Sequence, residues 1–376
     1  MTRTTTMTRT TTRKLMRNAR LNLTWKRALT VGLLVLLTTS VSGCVLEGDY
    51  KYKGSETTTE VIDLAGVDTI EMKLGSTDIE VFSQDGSDGS FVIKKTFRTN
   101  EKDHGPQLLK EAEITFEREG STLTIARKPI KRTGMDIFTK GYVSIDITAT
   151  LAADLTLIIN TGSGDLDIDD REAPVTIRTG SGDVLAGMLY GGLEASTGSG
   201  DVNLEGANGT LEFTAGSGDL VAGEVKGNVR ASVGSGDVEI DKVMGDVTFS
   251  SGSGDLQIGS SRGGLTAGSG SGDLEAHDHA GNADLKTSSG DVLLHTGASE
   301  GEIEISSSSG DVDIVIYNSD SVELDLRTSS GSMTSNVPLV VKDATRKRLY
   351  GESGGGALKI SVGTSSGDID ISQGSI

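Results

Sequence analysis

The chain has 376 residues, of which 54 are acidic and 35 are Lys or Arg, and its formal net charge at pH 7 is −19. Such an acidic chain repels phosphate, so nucleic acid is excluded as a partner. Cations, cationic peptides and neutral glycans are the compatible partners. A single cysteine excludes an internal disulfide framework.

The first 43 residues are predicted to be a lipoprotein signal peptide. They hold eight Lys and Arg, no acidic residue, and a short apolar run from Ala28 to Leu37, in the order typical of a secretory signal. A membrane span needs about 20 apolar residues, more than this run has. The four residues ending at Cys44 (VSGC) resemble the bacterial lipobox, in which the cysteine carries the lipid. We therefore expect a lipid-anchored, extracytoplasmic protein of the cell envelope, held in the outer membrane if the organism has one.

Residues 44–62 are predicted to be a linker, and 63–155 an N-terminal β-rich region. Within that region, the segment 75–78 (GSTD) reads as a diverged first corner of the repeat described below. An insertion at 84–138 has alternating, strand-like segments around a polar, helical piece. The two strand-like segments and the helical piece are Phe91–Phe97, Leu123–Arg127 and Gln107–Glu113.

Residues 156–376 are predicted to form a β-solenoid. Ser-Gly-Asp recurs every 18 residues from Ser163 to Ser289, and a fixed period of this size indicates stacked coils. Apolar and polar residues alternate on both sides of each corner, which is the period of a strand with one buried face. Glycines at the corners are expected to supply positive φ. The predicted fold class is therefore all-β, a solenoid of 18-residue coils with Gly-Ser-Gly-Asp corners, capped by the N-terminal region.

The repeat becomes irregular towards the end of the chain. Its period loosens to 20 at Ser309, degenerates at 330–332 (SGS), and recurs at Ser366. Between the last two positions, residues 335–356 are predicted to be an insertion with a basic cluster. Solenoid ends expose strand edges that need covering, so this insertion and the N-terminal region are the expected caps. The cluster is expected to pair with the protein's own carboxylates, or alternatively with a partner; it comprises Lys342, Arg346, Lys347 and Arg348.

Three features together resemble a known family. They are the AGVDTI opening at 65–70, the serial Thr-Gly-Ser-Gly-Asp-Val coils after an interruption, and the TSSGDI ending at 364–369. This order resembles the bacterial β-strand-repeat proteins called putative adhesins, a domain of unknown function. The resemblance covers about residues 60–376, and it implies a β-solenoid in an envelope protein, commonly a lipoprotein. The family usually has a proline before the first full coil, where this chain has TLAA at 150–153.

The repeated aspartate is the first candidate for a site. Carboxylates stacked about 5 Å apart repel by somewhat under 1 kcal/mol per pair in water, so something must offset the repulsion. One interpretation is that each aspartate accepts hydrogen bonds from backbone N–H groups of its own corner. The other is that cations such as calcium bind between the coils. The candidates are Asp165, Asp183, Asp201, Asp219, Asp237, Asp255, Asp273, Asp291 and Asp311.

A histidine pair is the second candidate. His277 and His295 are 18 residues apart and therefore share a column on adjacent coils, with His279 nearby. Together with a carboxylate such as Glu275 or Asp278 they would form a zinc or copper site; the alternative is a solvent-exposed pair without metal. No nucleophile, base and orienting group converge in the pattern, so neither a catalytic residue nor a cofactor is predicted.

These patterns favour binding over chemistry, because the same few atoms recur on every coil. The predicted function is a non-enzymatic surface adhesion or ligand-binding lipoprotein that makes repeated shallow contacts with glycans or surface proteins. The alternative is an envelope structural or stress-sensing protein that binds cationic peptides or partner proteins. A third hypothesis, an enzyme acting on glycans, has the least support. The membrane partner is expected to be reached through lipid on Cys44.

Overall fold

The computed structural model describes residues 50–128, 141–318 and 320–374. The predicted signal peptide and Cys44 lie outside the described residues. Within them the protein consists of strands and a short helix, α1 (Gly105–Glu111). This architecture confirms the predicted all-β solenoid. No helix in these ranges is long and apolar enough to cross a membrane.

The strand bounds in chain order are as follows. The N-terminal region contains β1 (Tyr52–Asp63), β2 (Thr69–Lys73), β3 (Thr77–Gln84), β4 (Asp88–Thr99), β5 (Ile114–Glu119), β6 (Thr122–Arg127) and β7 (Tyr142–Ala152). The next strands are β8 (Thr156–Asn160), β9 (Leu166–Ile168), β10 (Val175–Thr179), β11 (Val184–Leu189), β12 (Leu193–Thr197), β13 (Val202–Ala207), β14 (Leu211–Ala215), β15 (Leu220–Val225), β16 (Val229–Val233), β17 (Val238–Val243), β18 (Val247–Ser251) and β19 (Leu256–Ser261). The remaining strands are β20 (Leu265–Ser269), β21 (Leu274–His279), β22 (Ala283–Thr287), β23 (Val292–Thr296), β24 (Gly301–Ser307), β25 (Val312–Ile316), β26 (Val322–Thr328), β27 (Met333–Ser335), β28 (Val340–Ala344), β29 (Arg348–Glu352), β30 (Leu358–Thr364) and β31 (Ile369–Gln373).

Two parallel-stranded sheets form the solenoid, and each coil contributes one strand to each sheet. The first sheet contains the strands that follow the Ser-Gly-Asp corners, in the order β1-β4-β7-β3-β9, then the odd strands to β25, then β31-β27. The second has the order β28-β29-β26-β30-β24, then the even strands back to β8, then β2-β6-β5. Within the repeats the register equals the sequence period, so Leu193 lies beside Val175 on one side and Leu211 on the other.

The core lies between the two sheets because buried and exposed side chains alternate along most strands of the repeats. In β12, for example, Leu193, Ala195 and Thr197 are buried, whereas Glu194 is exposed. The same alternation recurs from β8 to β25, and the inward residues of successive coils form columns of Leu, Val, Ile, Phe and Ala. Burial of these columns on both sheets forms one continuous hydrophobic core that stabilises the fold.

The N-terminal insertion covers one end of this core. In the first sheet β7 pairs parallel with β3, and β4 and β1 then continue the sheet antiparallel. In the second sheet β6 pairs with β2, and β5 returns antiparallel to β6. Helix α1 packs over this cap and buries Leu108 completely.

A buried arginine joins the cap to the first coils. The Arg171 guanidinium donates to the carbonyl oxygens of Ala152 (2.7 Å) and Leu155 (2.9 Å) and to the hydroxyl of Ser83 (3.3 Å). Burial lowers the pKa of Arg171 to about 10, which Asp154 partly counteracts. The side chain therefore remains a cation at neutral pH and satisfies carbonyl groups that water does not reach.

The other end is closed by strands that do not follow chain order. The pair β30 and β31 lies between β24/β25 on one side and β26/β27 on the other. The hairpin of β28 and β29 then adds to β26 antiparallel. The degenerate corner at 330–332 belongs to the outermost coil, which explains why it departs from the repeat.

The predicted linker is only partly a linker. Residues from Tyr52 onwards form β1 and pair with β4 over its full length, from Tyr52–Thr99 to Asp63–Asp88. The segment has three consecutive threonines, 57–59, and β-branched residues fit a half-buried, pleated strand. Its composition is polar, which is why the sequence pattern did not reveal the strand.

Candidate functional site

The Ser-Gly-Asp corners stack into one continuous edge, and a buried or half-buried Ser or Thr hydroxyl supports most of them; Ala215 and Val233 stand in its place at two adjacent corners. In the coil of β12 the Thr197 hydroxyl accepts a hydrogen bond from the backbone N–H of Gly200 (2.8 Å). Equivalent bonds of 2.6 to 3.2 Å join Gly182 to Thr179, Gly254 to Ser251, Gly272 to Ser269, Gly290 to Thr287, Gly310 to Ser307, Gly331 to Thr328 and Gly367 to Thr364. The hydroxyl three residues before the second glycine is therefore a structural part of the edge. The sequence carried this signal as a recurrent Thr or Ser, but its role was missed.

The glycines of the Ser-Gly-Asp corners are required by close stacking and not, as predicted, by positive φ, which occurs at Gly192 of a second corner. None of the Ser-Gly-Asp glycines is among the described residues with positive φ. A Cβ added at Gly218 would lie 2.1 Å from the carbonyl oxygen of Gly200 on the coil before, and one at Gly272 would lie 2.0 Å from that of Gly254. Any side chain would force adjacent corners apart, so the backbone itself fills the space.

The aspartates form an inter-coil hydrogen-bond ladder, here called the aspartate ladder. Each Oδ1 accepts from the backbone N–H of the aspartate on the next coil in space, at 2.7 to 3.1 Å. The prediction that each aspartate accepts a hydrogen bond from its own corner was therefore wrong about the donor, which is a backbone N–H of the adjacent coil. The ladder runs Asp78, Asp165, Asp183, Asp201, Asp219, Asp237, Asp255, Asp273, Asp291, Asp311, Asp368 and ends on the N–H of Ser332.

The ladder explains how stacked carboxylates are tolerated. A net hydrogen bond contributes about 0.5–1.5 kcal/mol, which is comparable with the repulsion of about 1 kcal/mol or less between exposed neighbours. At its end, the bond from the Ser332 N–H lowers the pKa of Asp368. Ser332 itself needs no carboxylate, because no further Ser-Gly-Asp corner follows it in the stack. On the adjoining strands, Asp313 lies beside Asp370, and burial together with this neighbour raises the pKa of Asp313.

A shorter version of the same hydrogen-bond ladder occurs at the second corner, which was not predicted from the sequence. Asn228 Oδ1 accepts from the N–H of Asp246, whose Oδ1 accepts from the N–H of Gly264 (2.9 and 2.8 Å). Asn282 Oδ1 likewise accepts from the N–H of Glu302 (2.9 Å). The available signal was an Asn or Asp directly after the corner glycine, as in Gly227-Asn228.

The aspartate edge is exposed, and the ladder bonds involve Oδ1 of each carboxylate. In the described ranges, the second oxygen, Oδ2, of the ladder aspartates from Asp165 to Asp311 makes no hydrogen bond, and these carboxylates adjoin exposed serines such as Ser199. Among the described residues, no group of three or more His, Cys, Asp or Glu side chains is placed to hold a metal ion. Cation binding between the coils stays a prediction, and the geometry offers single carboxylate oxygens repeated at the strand spacing of about 4.8 Å.

The two predicted histidines do lie together. The rings of His277 and His295 meet edge to face at 5.0 Å, and the His277 Nε2 lies 3.7 Å from Glu275. The Tyr317 hydroxyl lies 3.4 Å from the Nδ1 of His295. Asp278, the other expected carboxylate, instead pairs with Arg262 at 2.7 Å. Metal binding by this pair stays a prediction. The structure places two imidazoles and one carboxylate, that of Glu275, near one another.

His279 does not join the pair, because it points into the core. It is completely buried, with Nδ1 2.8 Å from the Ser261 hydroxyl and Nε2 3.2 Å from the Asn282 carbonyl oxygen. A carbonyl oxygen only accepts, so Nε2 carries the proton and Nδ1 accepts from the hydroxyl. Burial lowers the pKa of His279, and the side chain is therefore neutral at pH 7.

The basic cluster in the C-terminal insertion is partly self-paired. Arg348 binds Asp325 (2.9 Å), and Lys342 binds Glu352 within the same hairpin. The hydrogen bond from Arg348 lowers the pKa of Asp325. Arg346 and Lys347 are exposed in the turn between β28 and β29, so the local pairing expected from the sequence applies to half of the cluster.

The fold and its repeated edge define a β-solenoid whose corners display one carboxylate per coil. The model of the Toastrack DUF4097 family matches residues 52–244 and 225–372. The chain belongs to this family.

Solved structures with similar folds come from several bacteria. A putative lipid binding protein from Parabacteroides distasonis is 19% identical, and the match covers 84% of this chain and 96% of that one, with a TM-score of 0.35. A putative adhesin from Parabacteroides merdae is 12% identical over 84% of this chain and 95% of that one (TM-score 0.26). A putative cell adhesion protein from Clostridium sporogenes is 12% identical over 85% and 100% (TM-score 0.18). No curated protein matches the chain.

Proposed function

We propose that the protein is a lipid-anchored, extracytoplasmic adhesion or ligand-binding module without enzymatic activity. The observation that carries the proposal is the aspartate ladder, which presents the same carboxylate and hydroxyl at every step along one exposed edge. A partner with a repeating structure, such as a glycan chain or a surface protein, meets many equivalent weak contacts there. Linked weak contacts raise the overall affinity far above that of one contact.

The ladder allows the binding atoms to be changed without changing the fold. Asparagine retains the Oδ1 acceptor for the next coil and removes the charge. A triple variant, Asp201→Asn, Asp219→Asn and Asp237→Asn, therefore keeps the inter-coil bonds while it neutralises three consecutive rungs. Exposed Glu212 and Glu194 on the outer face of the second sheet supply a control that loses charge away from the edge.

The experiment compares intact cells that carry the wild-type chain, the triple aspartate variant, or Glu194→Gln with Glu212→Gln. Non-permeant protease first shows whether the solenoid is accessible from outside, and attachment to glycan-coated and protein-coated surfaces is then measured. We expect cleavage on intact cells and weaker attachment by the triple variant alone. Protection of the chain until the envelope is opened would exclude adhesion by this molecule.

The acidic edge also supports the alternative role, an envelope structural or stress-sensing protein that binds cationic peptides or partner proteins. Stacked, exposed carboxylates attract a cationic peptide over about 10 Å at 0.1 M salt. Binding of a lysine-rich peptide to the purified full chain should therefore weaken as salt rises, and it should weaken in the triple aspartate variant. Salt-independent binding would contradict this role.

A further inference from the structure

A second candidate site lies in the N-terminal cap, away from the aspartate ladder. A groove of about 860 Å³ runs between β1, β4 and helix α1. Its lining includes Tyr52 and Gly54 from β1, Phe97 from β4, and Pro106 and Leu109 from the helix. Small-molecule sites in proteins are typically clefts of about 300–1,000 Å³ with mostly apolar walls and a few polar groups.

The floor of the groove is built around Phe97. Its ring lies so close to Gly54 and Gly105 that an added Cβ would be 2.7 Å from the ring at Gly54 and 2.3 Å at Gly105. Two glycines on different elements therefore let one aromatic ring lie against the backbone. Leu108 is fully buried and fixes the helix to the core, whereas the adjacent Leu109 is only partly buried and faces the groove. The apolar floor is thus formed in advance of any ligand.

The rim of the groove carries both acidic and basic side chains, and only some of them form ion pairs. Glu113 pairs with Lys128 at 2.9 Å, and Glu101 lies 4.0 Å from His104, while Glu56 and Asp103 also reach the rim. Lys102 and Lys110 line the same rim, and neither forms an ion pair within the described part of the chain. Lys95 also reaches the rim, but it lies opposite Glu56 across the β1–β4 pair, and its charge helps to lower the pKa of Glu113. In a strongly acidic protein, two unpaired cations beside an apolar floor fit a ligand with an apolar tail and an anionic head.

We propose that this groove binds a single-chain amphiphile with an anionic head group, such as a long-chain fatty acid. The tail lies on Phe97 and Leu109, and the head meets the lysines at the rim. The inference extends the proposed function and depends on it for one point, the nearness of a membrane. Tyr52 is eight residues beyond Cys44, so a lipid-anchored chain keeps Tyr52 within about 29 Å of its anchor.

The test uses the full chain with Cys44→Ser, which cannot carry its own lipid, and a fluorescent long-chain fatty acid as the probe. We expect saturable binding at one site per chain. Leu109→Asp places a charge on the floor and should weaken binding by about tenfold or more. Leu185→Asp is the matched control, because Leu185 is an exposed leucine on the solenoid far along the chain from the cap.

A separate variant tests the contact between the rim lysines and the head group. Lys102→Glu with Lys110→Glu should weaken fatty-acid binding severalfold at low salt and leave the binding of a long-chain alcohol unchanged. Lys226→Glu with Lys347→Glu is the control for net charge, and thermal unfolding confirms that each variant is folded.

Three results would overturn the proposal: no binding, equal binding by Leu109→Asp, or an alcohol that binds as tightly as the acid. A lipidated wild-type chain that excludes the probe while Cys44→Ser accepts it would assign the groove to the protein's own acyl chain instead. Failure of the adhesion proposal would appear separately, in the aspartate variants, which leave this groove intact.

Discussion

The close stacking of the corners makes a sharp prediction about glycine. Gly268 and Gly272 belong to the same coil, four residues apart. A Cβ at Gly272 would lie 2.0 Å from the carbonyl oxygen of Gly254, whereas at Gly268 the nearest heavy atom, the oxygen of Lys286, would be 3.9 Å away. Neither glycine has positive φ. The two positions therefore differ in the space available, so alanine substitutions isolate that one variable.

The expected effects have opposite signs. Gly268→Ala adds a methyl group to a half-buried position of β20 that has room for it and reduces the entropy of the unfolded chain, so it should stabilise by about 0.4–1 kcal/mol. Gly272→Ala needs the two corners to separate by more than 1 Å before the contact reaches an ordinary distance of roughly 3.5 Å. Overpacking of this kind costs about 1–3 kcal/mol or more. The separation also strains the ladder bond from Asp273 to Asp255 (2.8 Å).

Both variants are measured by chemical and thermal unfolding of the full chain, with circular dichroism to confirm β structure. Gly272→Ala should shift the unfolding midpoint downwards, and Gly268→Ala should leave it equal or raise it. Equal stability of the two variants would refute the argument, because glycine at the corner would then not be required by the approach of the neighbouring coil.

Three further predictions concern buried and ladder groups. Asp219→Ala should destabilise by about 1 kcal/mol in urea unfolding because the Asp237 N–H loses its acceptor, whereas Asp219→Asn should be neutral or stabilising; equal losses would show that the charge itself is needed. Burial lowers the pKa of His279 below its unfolded value of about 6.5. The contribution of neutral His279 to stability is therefore complete above that pH and is lost as pH falls, by at most about 1.4 kcal/mol per pH unit. Thermal unfolding of His279→Gln should depend less on pH between 7.5 and 5.5 than that of the wild type, and an unchanged dependence would contradict this. Arg171→Met should lower the free energy of unfolding by about 3 kcal/mol, since two carbonyl groups lose charged donors; a loss below 1 kcal/mol would mean that water replaces the guanidinium.

Much of the fold follows from local pattern. The 18-residue period fixes the register, because Leu193 and Leu211 occupy equivalent positions and pair as neighbours. Alternation fixes which side chains are buried, and the placement of a helical piece inside the first insertion was also predictable. Each of these properties depends on residues close in sequence or on the repeat itself.

Other properties depend on contacts between distant segments, and the sequence pattern does not contain them. The partner of Asp201 is the N–H of Asp219 on the next coil, which a single corner viewed alone does not reveal. Strand β1 is polar and becomes a strand only because β4 offers a full-length edge. Likewise, both histidines of the pair were found by spacing, but the inward turn of His279 accompanies a register irregularity in β21 and the positive φ of Asp278.

The position of β30 and β31 has a consequence for how the chain is made. During synthesis β24 to β29 emerge first, yet β26 and β24 cannot become neighbours in the final stack, because β30 must lie between them. The outermost coil and its hairpin can therefore reach their final positions only when β30 and β31 lie between them and the preceding coil. A chain that lacks β30 and β31 has no strand to join β24 to β26 in this arrangement. Completion of the stack therefore depends on two strands that follow the outermost coil in the chain.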